Sequence, residues 1–192
     1  MSQIKRIGII AEDESDFESS KILIRRLTKK KNLDFRKSLA NGCGRLKRKA
    51  PTFAVDLKNR GCDLLILMHD LDKNNLEKLR TELGKLLRGN PFPKYFVCIP
   101  IEEIEAWFLS DPATIKKVFK LKRTPKVGDE PESIDSPKEK LGEYVYSCSG
   151  NEKKYINTHH NAQLASQVSL DLIRKKCGAF NELCNFILTQ KY

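Results

Sequence analysis

No apolar run in this chain approaches the ~20 residues that a bilayer-spanning helix needs. The longest are short stretches such as Leu64 to Met68. The opening Met1-Ser2-Gln3-Ile4-Lys5-Arg6 leads into a strand-like segment, with no long apolar stretch or cleavage site of a secretory leader. The expectation is a cytoplasmic protein with no membrane association. No Cys-x-x-Cys pair occurs among Cys43, Cys62, Cys98, Cys148, Cys177 and Cys184, so the usual zinc or redox signature is missing. In a reducing compartment they stay free thiols. A zinc site drawn from Cys148, His159, His160, Cys177 or Cys184 would need long, irregular spacings unlike known ligand frameworks. The chain also lacks internal repeats and low-complexity tracts.

What is present is a 192-residue chain, 40% hydrophobic and 32% charged, a globular rather than disordered composition. Lys and Arg number 36 against 25 Asp and Glu, a net charge of +11. The excess is uneven. Residues 1–60 hold sixteen basic side chains against seven acidic, and the rest hold twenty against eighteen. The bases fall in bursts, Arg25-Arg26, Lys29-Lys30-Lys31, Arg36-Lys37, and Arg45 with Lys47-Arg48-Lys49. They read either as a solvated helix face with a charged turn or as a surface that displaces counterions from a nucleic-acid backbone.

Periodicity gives alternating elements. Residues 4–11 read as a strand, about 17–30 as a helix capped by Ser15 or Asp16, and 33–39 as a short strand. The turn Asn41-Gly42-Cys43-Gly44 leads to a basic helix at about 46–60, which Pro51 interrupts or starts. Residues 63–69 form the strongest strand, continuous enough to be central and covered on both faces. A helix at 76–87 and a strand at 95–99 follow, then helices at about 103–109 and 112–119. The expected fold is α/β, a mostly parallel sheet flanked by helices. Residues 1–119 would be the core and 120–137 a Pro-rich linker or surface loop. Residues 138–192 would be a helical C-terminal extension packed on the core, with helices at 138–146, 162–167, 170–177 and 180–188.

Functional groups in such sheets gather at the carboxyl ends of strands. Two ends here carry acids: Glu12, Asp13, Glu14 and Asp16 after the first strand, and Asp70 and Asp72 after the third. In an extended segment Asp70 and Asp72 point to the same side, and Glu12 joins them if the two strands are neighbours. Carboxylates so placed repel one another unless a cation lies between them. Oxygen-only donors select a hard ion, Mg²⁺, with Mn²⁺ as substitute. The competing reading is that these acids cap helices and stay solvated.

A glutamate closing the first strand (Ile9-Ile10-Ala11-Glu12) and an Asp-x-Asp closing a later one (Leu65 to Asp72) resemble the Toprim fold of topoisomerases, bacterial primases, recombination proteins and overcoming-lysogenization-defect nucleases. The chain is also similar to a narrower Toprim-like bacterial family, domain of unknown function 4276. That likeness runs through Glu103-Ile104-Glu105-Ala106-Trp107-Phe108-Leu109-Ser110-Asp111, Lys154 to His160 and Ile173 to Phe180. It implies a Toprim/Rossmann-like core in which Glu12 is a general acid/base or metal ligand and Asp70 and Asp72 hold Mg²⁺. Glu103 and Glu105 become candidates for a second metal or for positioning, or they are helix N-terminal acids. Toprim glutamates are commonly followed by glycine; here Asp13 follows. An ATPase encoded alongside, in a phage-defence operon, is implied as a partner.

The leading expectation is a Mg²⁺-dependent nuclease with Glu12, Asp70 and Asp72 as its catalytic set. Arg45, Lys47, Arg48 and Lys49 would bind flanking phosphates of DNA or RNA, and Gly42 and Gly44 would let backbone N–H groups approach an anion. Asp16 and His160 are accessory candidates, and a homodimer is a further expected assembly. Two alternatives stand beside it: a non-catalytic module binding nucleic acid or an ATPase, and a receiver-like phosphorylation switch. The switch lacks a lysine at the end of the Tyr95–Ile99 strand.

Overall fold

A computed structural model describes residues 3–192. Met1 and Ser2, part of the segment read as carrying no leader, lie outside the described residues. The chain runs β1 (Arg6–Ala11), α1 (Glu14–Thr28), β2 (Asp34–Leu39), α2 (Cys43–Asn59), β3 (Leu64–Met68), α3 (Leu76–Leu86), β4 (Tyr95–Cys98), α4 (Glu105–Leu109) and α5 (Pro112–Phe119). A 3-10 turn at Pro131–Ser133 precedes α6 (Pro137–Cys148), α7 (Asn157–Gln167), α8 (Leu170–Lys176) and α9 (Gly178–Leu188). The four strands form a parallel sheet in the order β2-β1-β3-β4, so the fold is α/β as expected, and β1 and β3 are neighbours at its centre.

Strand alternation divides the interior. Ile7, Ile9 and Ala11, with Leu64, Ile66 and Met68, face α1 and the C-terminal helices, where Leu164, Phe180, Leu183 and Ile187 pack. Ile10, Leu65 and Leu67 face α2 and α3, against Ala50, Ala54, Leu57, Leu79 and Leu83. Gly8 belongs to this second face: a Cβ there would meet Leu57 at 3.1 Å, so glycine lets α2 lie close on β1. The C-terminal helices therefore build one covering layer of the sheet. Arg26 of α1 ties α7 down, donating to the carbonyls of Ala165 at 2.6 Å and Val168 at 2.7 Å. Residues 120–137 are also fastened: Leu121 and Pro131 are buried, and the Lys122 N–H donates to the Cys148 carbonyl.

Several boundaries differ from the sequence reading. Helix α1 is capped by Asp13, whose carboxylate accepts from the Asp16 N–H at 3.0 Å, rather than by Ser15 or Asp16. Helix α2 starts at Cys43 and carries Pro51 in its interior instead of breaking there. Helix α7 starts at Asn157, which puts His159 and His160 on a helix rather than in a loop.

Candidate functional site

The carboxyl ends of β1 and β3 open into a polar cleft of about 130 Å³, lined by Glu12, Asp13, Asp16, Asp70, Asp72, Glu103, Glu105, Lys138 and Asn157. Glu12 leaves the end of β1, and the backbone N–H of Cys43, first residue of α2, faces its carboxylate. Asp13 and Asp16 come from the start of α1. Beyond β3 the chain stays paired with the end of β4 and the segment after it, His69 N–H to Cys98 O and Leu71 N–H to Pro100 O. It then turns. Asp72 is left-handed at φ 48°, so the extended geometry expected through Asp70-Leu71-Asp72 ends one residue early. Asp and Asn tolerate that conformation better than most residues.

Alternation sorts the acids into two groups. Asp70 follows Met68 onto the α1 face, where burial and the charges of Asp16 and Glu105 push its carboxyl well above the usual range. Asp16 is shifted the same way by burial and by Asp13 and Glu105. Glu105, 3% exposed, accepts from Tyr155 Oη at 2.6 Å and from Asn161 Nδ2 at 3.0 Å. Glu12 follows Ile10 onto the α2 face. Its carboxylate, one from Asp72 and the Cys43 thiol lie within 4.8 Å of one another, the set of donors that could close on one ion among the described residues. Burial and Asp72 raise the Glu12 carboxyl. Glu12, Asp70 and Asp72 thus line one cleft, but the close donor set has Cys43 in the place expected for Asp70.

Glu103 accepts from the Lys138 backbone N–H at 2.8 Å, and burial raises its carboxyl. It therefore ties α6 to the cleft rim. Crowded carboxylates with raised pKa values, open to solvent at one end, have the donor chemistry of a divalent-cation site.

Residues 11–188 match a family described as a domain of unknown function (DUF4276). The chain belongs to this family. No curated protein and no solved structure matches it. The matched span contains every acid of the cleft.

Elsewhere in this DUF4276 chain, Arg45, Lys47, Arg48 and Lys49 stand on the first turns of α2, beside Cys43. Arg45, Arg48 and Lys49 are exposed. Lys47 is held by Glu82 at 2.9 Å. His160 does not line the cleft. Its Nδ1 lies 2.8 Å from the Ile156 carbonyl and its ring packs on Phe119, a structural role in the first turn of α7. Trp107 is fully buried and packs edge-on against Phe180.

Lys138 and Asn157 line the cleft and, with Cys43 and His69 beside Glu12, are absent from the sequence expectation. Cys43 was placed in a turn before the basic helix. Lys138 arrives from the start of α6, long after the strands in sequence. His69 read as the end of an apolar strand. No pattern in the sequence marked Cys43 or Lys138; for His69, a polar ring at the end of a buried parallel strand was a usable signal.

Proposed function

We propose that this protein is a metal-dependent nuclease of Toprim type that hydrolyses phosphodiester bonds in DNA or RNA. The observation that supports this most is the convergence of Glu12, Asp70 and Asp72 at the carboxyl ends of adjacent parallel strands, in a cleft whose acids repel one another. The donor chemistry fits a divalent cation, Mg²⁺ or Mn²⁺, with Glu12 and Asp72 on one side and Asp70 with Asp16 and Glu105 deeper. Such an ion supplies charge neutralisation for the scissile phosphate and acidifies water. Glu12, with its raised carboxyl, accepts or returns the proton of the attacking water. Glu103 and Glu105 hold α6 and α7 against the cleft. Arg45, Arg48 and Lys49 bind flanking phosphates on the adjacent helix turns.

The Toprim likeness carries further proposals: an effector role in phage defence, an ATPase partner encoded alongside, and a homodimer. Among the described residues no helix is long and apolar enough to cross a membrane.

The test is cleavage of labelled DNA and RNA with Mg²⁺ or Mn²⁺ by wild type, Glu12→Gln and Asp70→Asn. Activity lost in both variants supports the reading, and equal activity in all three refutes it. Metal-independent, salt-sensitive binding without cleavage would instead favour a non-catalytic binding module.

A further inference from the structure

The densest charge of the chain is not on α2. Residues 21–37, from the middle of α1 into β2, hold eight basic side chains and one acid, +7 of the net +11. Helix α1 covers one face of the sheet and α2 the other. These bases therefore form a surface separate from Arg45, Arg48 and Lys49.

Phe17, Lys21 and Arg25 recur every four residues and so line one side of α1. With Phe35, Arg36 and Lys37 of β2, an outer strand of the sheet, they wall a groove of about 310 Å³. Most bases of this groove are matched: Lys21 pairs with Glu18, Arg36 with Asp34 and Lys37 with Glu14. Arg25 also borders a second hollow, of about 450 Å³, lined by Arg25, Arg26, Lys29, Lys30, Lys31 and Leu170. Five bases meet there with no acid, and among the described residues none of the five makes an ion pair. Arg25 lies 5.2 Å over the Phe35 ring and donates to the Leu33 carbonyl. Helix α1 ends because Lys29 is left-handed, at φ 55°, with its N–H donating to the Arg25 carbonyl. Lys29, Lys30 and Lys31 are exposed on that turn. Lys30 is shared in turn with a third hollow, of about 390 Å³, bordered by Lys5, Asn32 and Tyr192. Like charges held together cost stability, a cost that a bound polyanion removes.

We propose that this track binds the phosphodiester backbone of a nucleic-acid strand. Three concavities joined through Arg25 and Lys30 suit a chain of repeated charges, whereas a single anion would need one. An anionic membrane is the poorer match. None of the exposed large apolar residues, Val55, Tyr95, Tyr146, Ile156 and Leu188, borders the track, and interfacial binding needs an apolar face. Asp16 of the cleft and Arg25 stand at opposite parts of α1, about 14 Å apart along its axis, too far for one phosphate to meet both. The track therefore grips strand that flanks the cleft. That role rests on the nuclease reading, but the binding itself needs neither metal nor cleavage.

The experiment is fluorescence anisotropy of short labelled single strands, DNA and RNA in separate arms, with the full-length protein in chelator across a salt series. The variant joins Lys29→Asn, which suits the left-handed position, with Lys30→Gln and Lys31→Gln. It should weaken binding at least tenfold in one arm or both, and lower the log–log salt slope by about 2–3, at roughly 0.7–0.9 per lost contact. The arm that loses most identifies the strand. A second measurement needs no variant: the bound strand should protect Lys29, Lys30 and Lys31 from acetylation, read by mass spectrometry. Unchanged affinity and slope in the variant, or equal acetylation with and without the strand, overturns the inference. So does binding to phosphatidylserine–phosphatidylcholine vesicles that is tighter than to either strand and lost in the variant. Track-dependent binding with no cleavage under any metal keeps the inference and sinks the nuclease; Glu12-dependent cleavage by a variant that binds as wild type does the reverse.

Discussion

Removing one carboxylate from the cleft should make the metal-free protein more stable, the opposite of what most substitutions do. The clean perturbation is Asp72→Asn. Asn accepts the left-handed backbone of this position (φ 48°) as well as Asp does, so the change removes charge and little else. Unit charges no more than 4.8 Å apart repel by at least about 3.5 kcal/mol at an effective dielectric of 20 and at least about 0.9 kcal/mol in bulk water. Asp72 is exposed, so solvent and salt screening place the relief near the lower figure, about 1 kcal/mol. In a chain of this size that corresponds to a rise of roughly 2–4 °C in Tm. Thermal unfolding followed by circular dichroism, in chelator at neutral pH and low salt, reads it directly. Adding Mg²⁺ or Mn²⁺ at 100 times its Kd should stabilise wild type by about 2.7 kcal/mol, and Asp72→Asn by clearly less. If Asp72→Asn melts at or below the wild-type temperature in chelator, the carboxylates do not repel as argued. The cation-site reading would then lose its electrostatic basis.

The pH dependence tests the deeper group. Asp70 and Asp16 have raised folded-state pKa values, so the stability they contribute is fully present below the ordinary carboxylate range and lost as pH rises through the raised values. Asp34 and Asp111 are held the other way, by an ion pair with Arg6 and by hydrogen bonds from Ser169 and Thr114. The difference between wild type and Asp70→Asn is therefore the quantity to follow. The variant's advantage should grow from the carboxylate range to neutrality in chelator, and a constant difference would contradict the shift. On the basic turns, Arg45→Ala with Arg48→Ala should lower the log–log salt slope of nucleic-acid binding by about 2. Lys47→Ala should change it less, because Lys47 is already paired with Glu82. Tyr155→Phe removes the hydroxyl that joins buried Glu105 to Asn161 and should cost about 1–3 kcal/mol in chemical denaturation. A neutral outcome would mean the network does not hold α7 to α4.

The architecture could be read from the chain because its parallel strands are short, apolar and separated by helical periods, and each pattern has a single use in such a sheet. The acids at Glu12, Asp70 and Asp72 were legible for a related reason: a charged residue at the end of a buried strand has few structural uses. Their grouping was not legible. It depends on which face each strand end presents. Glu12 continues the face of Ile10 and Leu67, while Asp70 continues that of Met68, and the turn at Asp72 brings its carboxylate back to Glu12. Spacing counts residues along an extended strand and cannot register a left-handed turn that an aspartate allows but does not announce.

Cys43 was hidden for a different reason. Its position follows from α2 beginning at the very end of the Asn41-Gly42 turn, with Gly42 at φ 126°. The same geometry aims the Cys43 N–H at Glu12, and the basic turns follow along α2. The glycine turn therefore does more than expose backbone to an anion. It brings a thiol and a backbone donor to Glu12, at the start of the helix that carries the exposed bases Arg45, Arg48 and Lys49. A basic helix that begins at an acidic pocket is intelligible if a cation sits among the carboxylates and a polyanion lies along the helix.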